Sequence, residues 1–495
     1  MGMKKNKLQW GTSGDAILLM MIKLVTILLG FAVTRLLSQH LSVREYGTYS
    51  QIMLIVSTVN TMTILGMIDG TNFFYCCETD IQKREAFIST IFALQTIIGI
   101  VAGSLVMLLS SQICIYFDNP DIADLLFFSA ALPLPINLIS MIQVLLVSTG
   151  RAKMLAIRNL LVSILRLAAV ILAVAIFDSV VVVLFTTLLL DVLQLLLFGW
   201  VLKKNGCPIR AKTVDFHLVG RILRYCAPMG VFTVVSALNR DCDKYLIGLM
   251  TNTETLAIYT NASKVLPFDI VMNSFCTVLV PQITKRVGEK NYQAAANLYR
   301  QFLEISYITT TILCCASLSA APQLMELLYS NKYLSGITVF SIYILVDLLR
   351  FTNITMVLAA AGKTKKLMLF SLCALTANAL LNVLLFQLFG ITGPAIATLI
   401  TTFLLGATIV VSGSNELGIR VHQLFDGKYL LTFMAENAVA VMIFARVQRW
   451  LTGKGIHYFP VLLLVGGGYG LLMLLLHGKR LLRSLKNVNK VTGSD

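Results

Sequence analysis

The sequence predicts an all-α integral membrane protein of about fourteen transmembrane helices, built as two parallel-repeat six-helix lobes around a central cleft plus two C-terminal helices. Three observations carry this. Of 495 residues, 57% are hydrophobic and 13% charged, far from the roughly 25% charged residues of a soluble globular domain. Apolar stretches of about 20 residues, each enough for a helix to cross a ~30 Å hydrocarbon core, recur with no extended polar domain between them. The chain also resembles itself at an offset of about 210 residues.

The first span, 16–37, follows the basic segment "MGMKKNKLQWGTSGD". Its apolar run is too long for a signal-peptide core and lacks a small-residue cleavage site, so it reads as a retained helix. The remaining spans fall at 47–76, 86–113, 122–147, 154–177, 180–202, 222–250, 254–281, 298–320, 334–360, 366–389, 391–412, 428–450 and 457–477. Pro133 and Pro135 in the fourth, Pro228-x-Gly230 in the seventh and Pro267 in the eighth remove backbone hydrogen bonds and mark positions that can bend. Asn378 and Asn382, one turn apart in the eleventh, can bond either sugar hydroxyls or a neighbouring helix.

The formal charge of +16 raises the question of nucleic acid. With the N-terminus placed in the cytoplasm, twenty-eight Lys and Arg fall in inside segments and five, Arg44, Lys332, Arg446, Arg449 and Lys454, in outside loops. The positive-inside rule therefore puts both termini in the cytoplasm, and the basic charge is a topology signal that needs no nucleic acid. Ten cysteines are present, Cys76-Cys77 and Cys314-Cys315 among them, without a CxxC or a metal-ligand spacing. Nearly all lie in apolar segments, where a thiol packs as a small hydrophobe. No cofactor or metal is called for.

"VSTGRAKML" (Val147–Leu155) pairs with "AAAGKTKKL" (Ala359–Leu367), which sets Gly150-Arg151-x-Lys153 over Gly362-Lys363-x-Lys365. "REYGTY" (Arg44–Tyr49) falls near "ETLAIY" (Glu254–Tyr259), and Phe177-Asp178 near Phe389-Gly390. Such an offset covers six spans, an even number, so the two copies share one orientation. The expected organisation is residues 1–202 as an N-lobe of spans 1–6 and 203–221 as a cytoplasmic linker. Residues 222–412 then form a C-lobe of spans 7–12, and 413–495 hold spans 13–14 and a tail.

"RLLSQHLSVREYGTYSQ" (Arg35–Gln51) resembles the loop between the first two spans of the polysaccharide flippases in the multidrug/oligosaccharidyl-lipid/polysaccharide exporter superfamily. "APMGVFTVVSALNRDCDKYLIGLM" followed by Tyr259 is similar to their seventh and eighth spans, and "STGRAKMLAIRN" to their loop after the fourth. The resemblance covers nearly the whole chain. It implies a transporter that flips a polyprenyl-diphosphate-linked oligosaccharide from the inner to the outer leaflet of the bacterial plasma membrane, without covalent chemistry, by alternating access. The lipid-linked oligosaccharide and membrane lipids are its implied partners, with a polysaccharide polymerase and glycosyltransferases open as further ones. The outer loop with Arg446, Arg449 and Lys454 departs from the pattern and runs against the charge rule.

Apart from the bases already counted with the loops and span ends, seven fall within spans: Lys23, Arg35, Arg166, Arg240, Lys244, Lys264 and Arg350. At about 2.5 to 3.5 kcal/mol each, leaving them unpaired would cost roughly 17 to 25 kcal/mol, so they must pair, reach an interface or face water. Lys23, Arg166, Lys264 and Arg350 lie deepest and are the candidates to hold a diphosphate, for which Lys and Arg are the natural counter-ions. In "NRDCDKYLIG", Arg240 with Asp243 and Asp241 with Lys244 stand three apart and can form two ion pairs in one turn. With Arg35, either a rim residue or one reaching for headgroups, they form a candidate outer gate. Asp191, Asp269 and Asp347 are candidates for ion coupling, although Asp347 can also neutralise Arg350 three residues on.

Other functions fit less well. Asp241-Cys242-Asp243 matches a DxD pattern of glycosyltransferases, but it ends a span, and no loop of more than about twenty residues exists to hold a nucleotide-sugar domain. A cation-coupled multidrug exporter of the same superfamily would favour acids and aromatics where this chain has bases. No Walker A pattern is present to bind ATP.

Overall fold

The computed structural model describes residues 13–492 except 79, 149–151, 178 and 205–208. Gly150-Arg151 and Asp178, which enter the repeat, and part of the 203–221 linker therefore lie outside the described residues. All regular structure among the described residues is helical, as hydrocarbon demands of segments that must satisfy their own backbone.

In chain order the helices are α1 (Ser13–His40), α2 (Val43–Ile64), α3 (Met67–Cys77), α4 (Ile81–Leu108), α5 (Ser110–Phe117), α6 (Leu126–Ala131), α7 (Pro133–Ser148), α8 (Ala152–Phe177), α9 (Val180–Lys204) and α10 (Val219–Met250). They continue with α11 (Thr253–Ala262), α12 (Asp269–Gly288), α13 (Tyr292–Ser319), α14 (Ala321–Tyr329), α15 (Ile337–Leu349), α16 (Met356–Ala360), α17 (Thr364–Phe389), α18 (Gly393–Glu416), α19 (Gly427–Gly453), α20 (Tyr458–Leu462) and α21 (Gly468–Thr492).

Among the described residues 12 segments are long and apolar enough to cross a membrane, against the fourteen expected. Two features account for the difference. Lys365–Glu416 is one run of 52 residues that holds both α17 and α18, and the expected span 254–281 is split into α11 and α12 around Pro267, which has no N–H to continue a helix. The expected single helix at 47–76 is likewise two, α2 and α3, and 122–147 divides before Pro133, which starts α7.

The chain forms two compact units, Met1–Leu238 with Gly248–Ala257, and Asn239–Ile247 with Ile258–Asp495. The change from one to the other falls inside α10.

In the first unit α1 runs against α8, while α3, α4 and α7 close on one another. Their core holds Met67, Phe74, Phe87, Ile91, Met141 and Leu145, joined by Cys226 of α10. Between α2 and α3, Leu65 (φ 42) and Gly66 (φ 72) turn the chain through the left-handed region. A Cβ on Gly66 would lie 2.4 Å from the Cys226 carbonyl oxygen, and one on Gly230 2.6 Å from the Leu65 carbonyl carbon. The broken helix is thus seated backbone to backbone on the Pro228 turn of α10, where no larger residue fits.

The "REYGTY" stretch has a local cause as well. Ser42 and Glu45 form a reciprocal capping box that starts α2. A Cβ on Gly47 would come 2.4 Å from the Thr253 carbonyl oxygen. Around this close approach, Asn119 Nδ2 donates to Gln51 Oε1 (2.7 Å) and Thr48 Oγ1 (3.0 Å), and Gln51 Nε2 donates to Thr253 Oγ1 (3.3 Å).

The second unit packs α13 against α12, α15, α19 and α21 around Tyr299, Phe302, Ile308, Phe433 and Tyr469. Its C-terminal helices are fastened by Tyr469 donating to Asn437 Oδ1 and by Arg480, which pairs with Glu304 and with Asp426 (3.0 Å) and lies 3.6 Å above the Tyr429 ring. Of the bases that run against the charge rule, Lys454 sits 3.8 Å above the Trp450 ring just past α19.

Candidate functional site

In the first unit a cavity of about 320 Å³ opens among α1, α2, α7, α8 and α9. Its wall is polar on one side. Arg166 of α8 pairs with Asp191 of α9 (Nη2 to Oδ1, 3.0 Å), and Gln194, one turn on, donates to the same oxygen (3.2 Å). Arg158, two turns before Arg166, donates to Gln194 Oε1 and lies 4.5 Å above the Phe198 ring. The result is a chain Arg158–Gln194–Asp191–Arg166 in which two guanidinium groups face one carboxylate.

The local sequence explains the alignment. Arg158, Val162, Asn159 and Arg166 recur at helical spacing on one face of α8, and Thr187, Asp191 and Gln194 do so on α9, so both polar stripes meet at the cavity. The Asp191 side chain is 6% exposed, whereas that of Arg166 is 41% exposed. The carboxylate is enclosed and its cation is partly open to the cavity. Both arginines also keep a buried Nε–H that has no acceptor among the described residues, which is donor capacity beside an opening that an anion can enter. Ser140, Gln143 and Ser163 complete the polar wall.

The other predicted residues are dispersed. Lys23 is exposed on α1, one turn before Thr26 of the cavity lining. Arg35 is half-buried three turns further along the same helix. Lys264 is exposed in the segment between α11 and α12. Arg350 pairs with the buried Asp347 (Nε to Oδ1, 2.9 Å), whose other oxygen accepts the Leu266 N–H (3.0 Å) released by the same helix break. Asp347 thus ties down an interrupted helix and neutralises Arg350. Asp269 opens α12, and its side chain lies outside the described residues.

The "NRDCDKYLIG" cluster rearranges one expected pair. Lys244 does bind Asp241 (2.6 Å), but Arg240, half-exposed, approaches Asp241 (3.5 Å) rather than Asp243. Asp243 is 1% exposed and accepts hydrogen bonds from the hydroxyls of Tyr259 (2.7 Å) and Tyr343 and from the Lys244 N–H (2.9 Å). The correction has a simple cause: the carboxylate turns inward, where two phenols satisfy it better than an arginine at the surface. Asn378 donates to Asn239 of α10, the helix–helix alternative among the two expected for it.

Sequence reasoning missed Arg158, Gln194 and Tyr343, and it singled out Tyr259 without its partner Asp243. Arg158 follows the Gly-Arg-x-Lys turn closely enough to read as a loop base, and Gln194 carries no charge. A polar stripe at helical spacing down α9 was the available signal.

The structure is similar to that of the lipid II flippase MurJ in its inward closed conformation, with TM-score 0.73 at 15% identity over 94% of this chain and 99% of that one. It is also similar to a MOP superfamily transporter from Pyrococcus furiosus (0.57, 14%, 82% of this chain and 95% of that one). A third likeness is to the MATE multidrug transporter DinF-BH (0.59, 12%, 85% of this chain and 100% of that one). Comparison with curated protein sequences finds no match. These likenesses define the class, a multi-pass helical membrane protein with the MOP-superfamily transporter fold. Within it, the chain belongs to the polysaccharide biosynthesis protein family, whose model matches residues 32–338.

Proposed function

We propose that this protein is a flippase that carries a polyprenyl-diphosphate-linked oligosaccharide from the inner to the outer leaflet of the bacterial plasma membrane for cell-surface polysaccharide assembly. It moves its substrate by alternating access, makes no covalent bond, and keeps both termini in the cytoplasm. In this reading residues 1–202 and 222–412 are the repeated lobes, and 413–495 are an appended hairpin and tail.

The observation that carries the reading is the surplus of guanidinium over carboxylate at the cavity of the first unit, where Arg158 and Arg166 face the single anion Asp191. A diphosphate bears several negative charges, and planar guanidinium donors in a partly desolvated hollow suit it better than a surface lysine does. The amide and hydroxyl groups of Gln143, Asn159 and Ser163 are suited to sugar hydroxyls. Lys23, one turn from the lining, serves as the approach residue, whereas Arg350 is already neutralised by Asp347. A site for organic cations would instead favour acids.

The test is reconstitution into liposomes with a fluorescent polyprenyl-diphosphate disaccharide, reading how fast it becomes accessible to a membrane-impermeant quencher. Arg166→Ala and Lys23→Ala should each slow the movement severely, about tenfold or more, while the protein stays folded and membrane-inserted. Full activity in both variants defeats the assignment.

A further inference from the structure

A second hollow, separate from the arginine cavity, lies on the surface of the second unit, where α17 and α18 run antiparallel. On α17 its wall is Phe370, Cys373, Ala374 and Ala377, at the i, i+3, i+4, i+7 spacing of one helix face. α18 presents the same spacing from Thr401 to Thr408, with Leu404 and Leu405 between. The two threonine hydroxyls donate to carbonyls one turn back on their own helix, so they offer a ligand no donor and the groove of about 210 Å³ is largely apolar. Leu369, Leu372 and Phe403 flank it as exposed side chains, which marks this face as one covered by hydrocarbon in a membrane.

One end of the groove is charged. Lys363 and Lys366 both reach the single carboxylate of Glu416 at the end of α18 (3.7 and 2.8 Å). Lys365 stands exposed beside them. Three ammonium groups against one carboxylate leave a net charge of about +2 at the mouth, and at ~1.5 Å per residue Phe370 begins about 6 Å above Lys366. An apolar slot that starts one turn above a positive cluster matches a molecule with an anionic head and a hydrocarbon chain. This also gives a use to Gly362-Lys363-x-Lys365, the motif of the internal repeat that the transport site does not employ.

We infer that the α17–α18 groove is a binding site for an anionic phospholipid, one acyl chain lying along Phe370–Ala377 and the phosphate held by Lys365 with Lys363 and Lys366. The occupant is a bilayer lipid, and the inference stands whether or not the transported substrate is the one proposed above. Basic residues near a membrane surface each contribute about 1 kcal/mol to holding anionic lipid, which is roughly five-fold in affinity.

The experiment uses the purified full chain, delipidated in neutral detergent and titrated separately with phosphatidylglycerol and with phosphatidylcholine of the same chains, bound lipid being counted by native mass spectrometry. One phosphatidylglycerol should be retained at concentrations where phosphatidylcholine is not. Lys365→Gln should weaken it about five-fold, and Ala377→Trp, which fills the groove, should abolish the preference. A readout that needs no substitution is peptide-resolved maleimide labelling of the exposed Cys373, which phosphatidylglycerol should slow and phosphatidylcholine should not. Equal retention of the two lipids, unchanged labelling, or displacement of phosphatidylglycerol by lower concentrations of a polyprenyl phosphate would each overturn the assignment.

Discussion

The Arg166–Asp191 pair offers a way to separate charge from shape in the cavity. At 3.0 Å, two opposite unit charges in an effective dielectric of about 20 attract by about 5 to 6 kcal/mol before desolvation is counted. Because the Arg166 side chain is 41% exposed, water screens much of this, and the enclosed carboxylate opposes it, leaving a net coupling of about 2 kcal/mol. The charges of the cavity wall are two arginines and one aspartate. Arg166→Ala brings the sum to zero, whereas Asp191→Asn raises it to two positive charges and keeps an oxygen for Gln194 and Arg166. One charge at about 6 Å through the same dielectric, halved for exposure, changes anion affinity by about tenfold. In the liposome assay Arg166→Ala should therefore weaken apparent affinity about tenfold and lower the rate. Asp191→Asn should tighten affinity by a similar factor while slowing turnover, since an intermediate held more strongly is released more slowly. The double variant should return towards the parent affinity through Arg158. If both single variants shift affinity in the same direction, the wall does not act through its charge and the reasoning fails.

Further outcomes follow from the packing. Gly230→Val would drive a branched side chain into the Leu65 carbonyl and should lower the thermal half-life in detergent by the equivalent of about 2 to 3 kcal/mol, while Gly220→Ala, which meets nothing within 4 Å, serves as a neutral control. Asn119→Ala leaves Gln51 Oε1 without its donor and should cost about 1 to 3 kcal/mol in the same assay. Tyr343→Phe removes one of the two phenols from Asp243 and should destabilise by about 1 to 3 kcal/mol, less than Asp243→Ala, which strands both. At Asp426, outside the spans, the Tyr429 N–H and then Arg480 hold the carboxyl below its ordinary value of 3.8. A depressed folded-state value stabilises above the ordinary value and is lost as pH falls through the lower one, so the parent should loosen at α19 and α21 below about pH 4. Hydrogen exchange should show that acid step disappear in Asp426→Asn.

The spans were legible because hydrocarbon allows one solution to the backbone problem, and it writes that solution as long apolar runs. Interruptions were legible where proline imposes them, at Pro133 and Pro267, whereas α10 runs unbroken through Pro228. The break at Leu65–Gly66 was not, since its cause is a neighbouring backbone that approaches from α10, far along the chain. The same limit applied to the charges. Arg166 and Asp191 were picked out as ionisable groups at membrane depth, yet their pairing needed α8 and α9 side by side. Asp243 was read against its nearest bases because local spacing shows only i, i+3 partners, whereas Tyr343 lies a hundred residues away.

The shared course of α10 bears on how this molecule can be cut and rejoined. A break at the 203–221 connection puts Thr253 on the C-terminal piece, although it belongs to the first compact unit. The N-terminal piece made alone would carry an empty notch at Gly47 and an orphaned Gln51 amide. Such halves should be proteolysed when expressed singly and survive when expressed together, each acting as the other's missing segment.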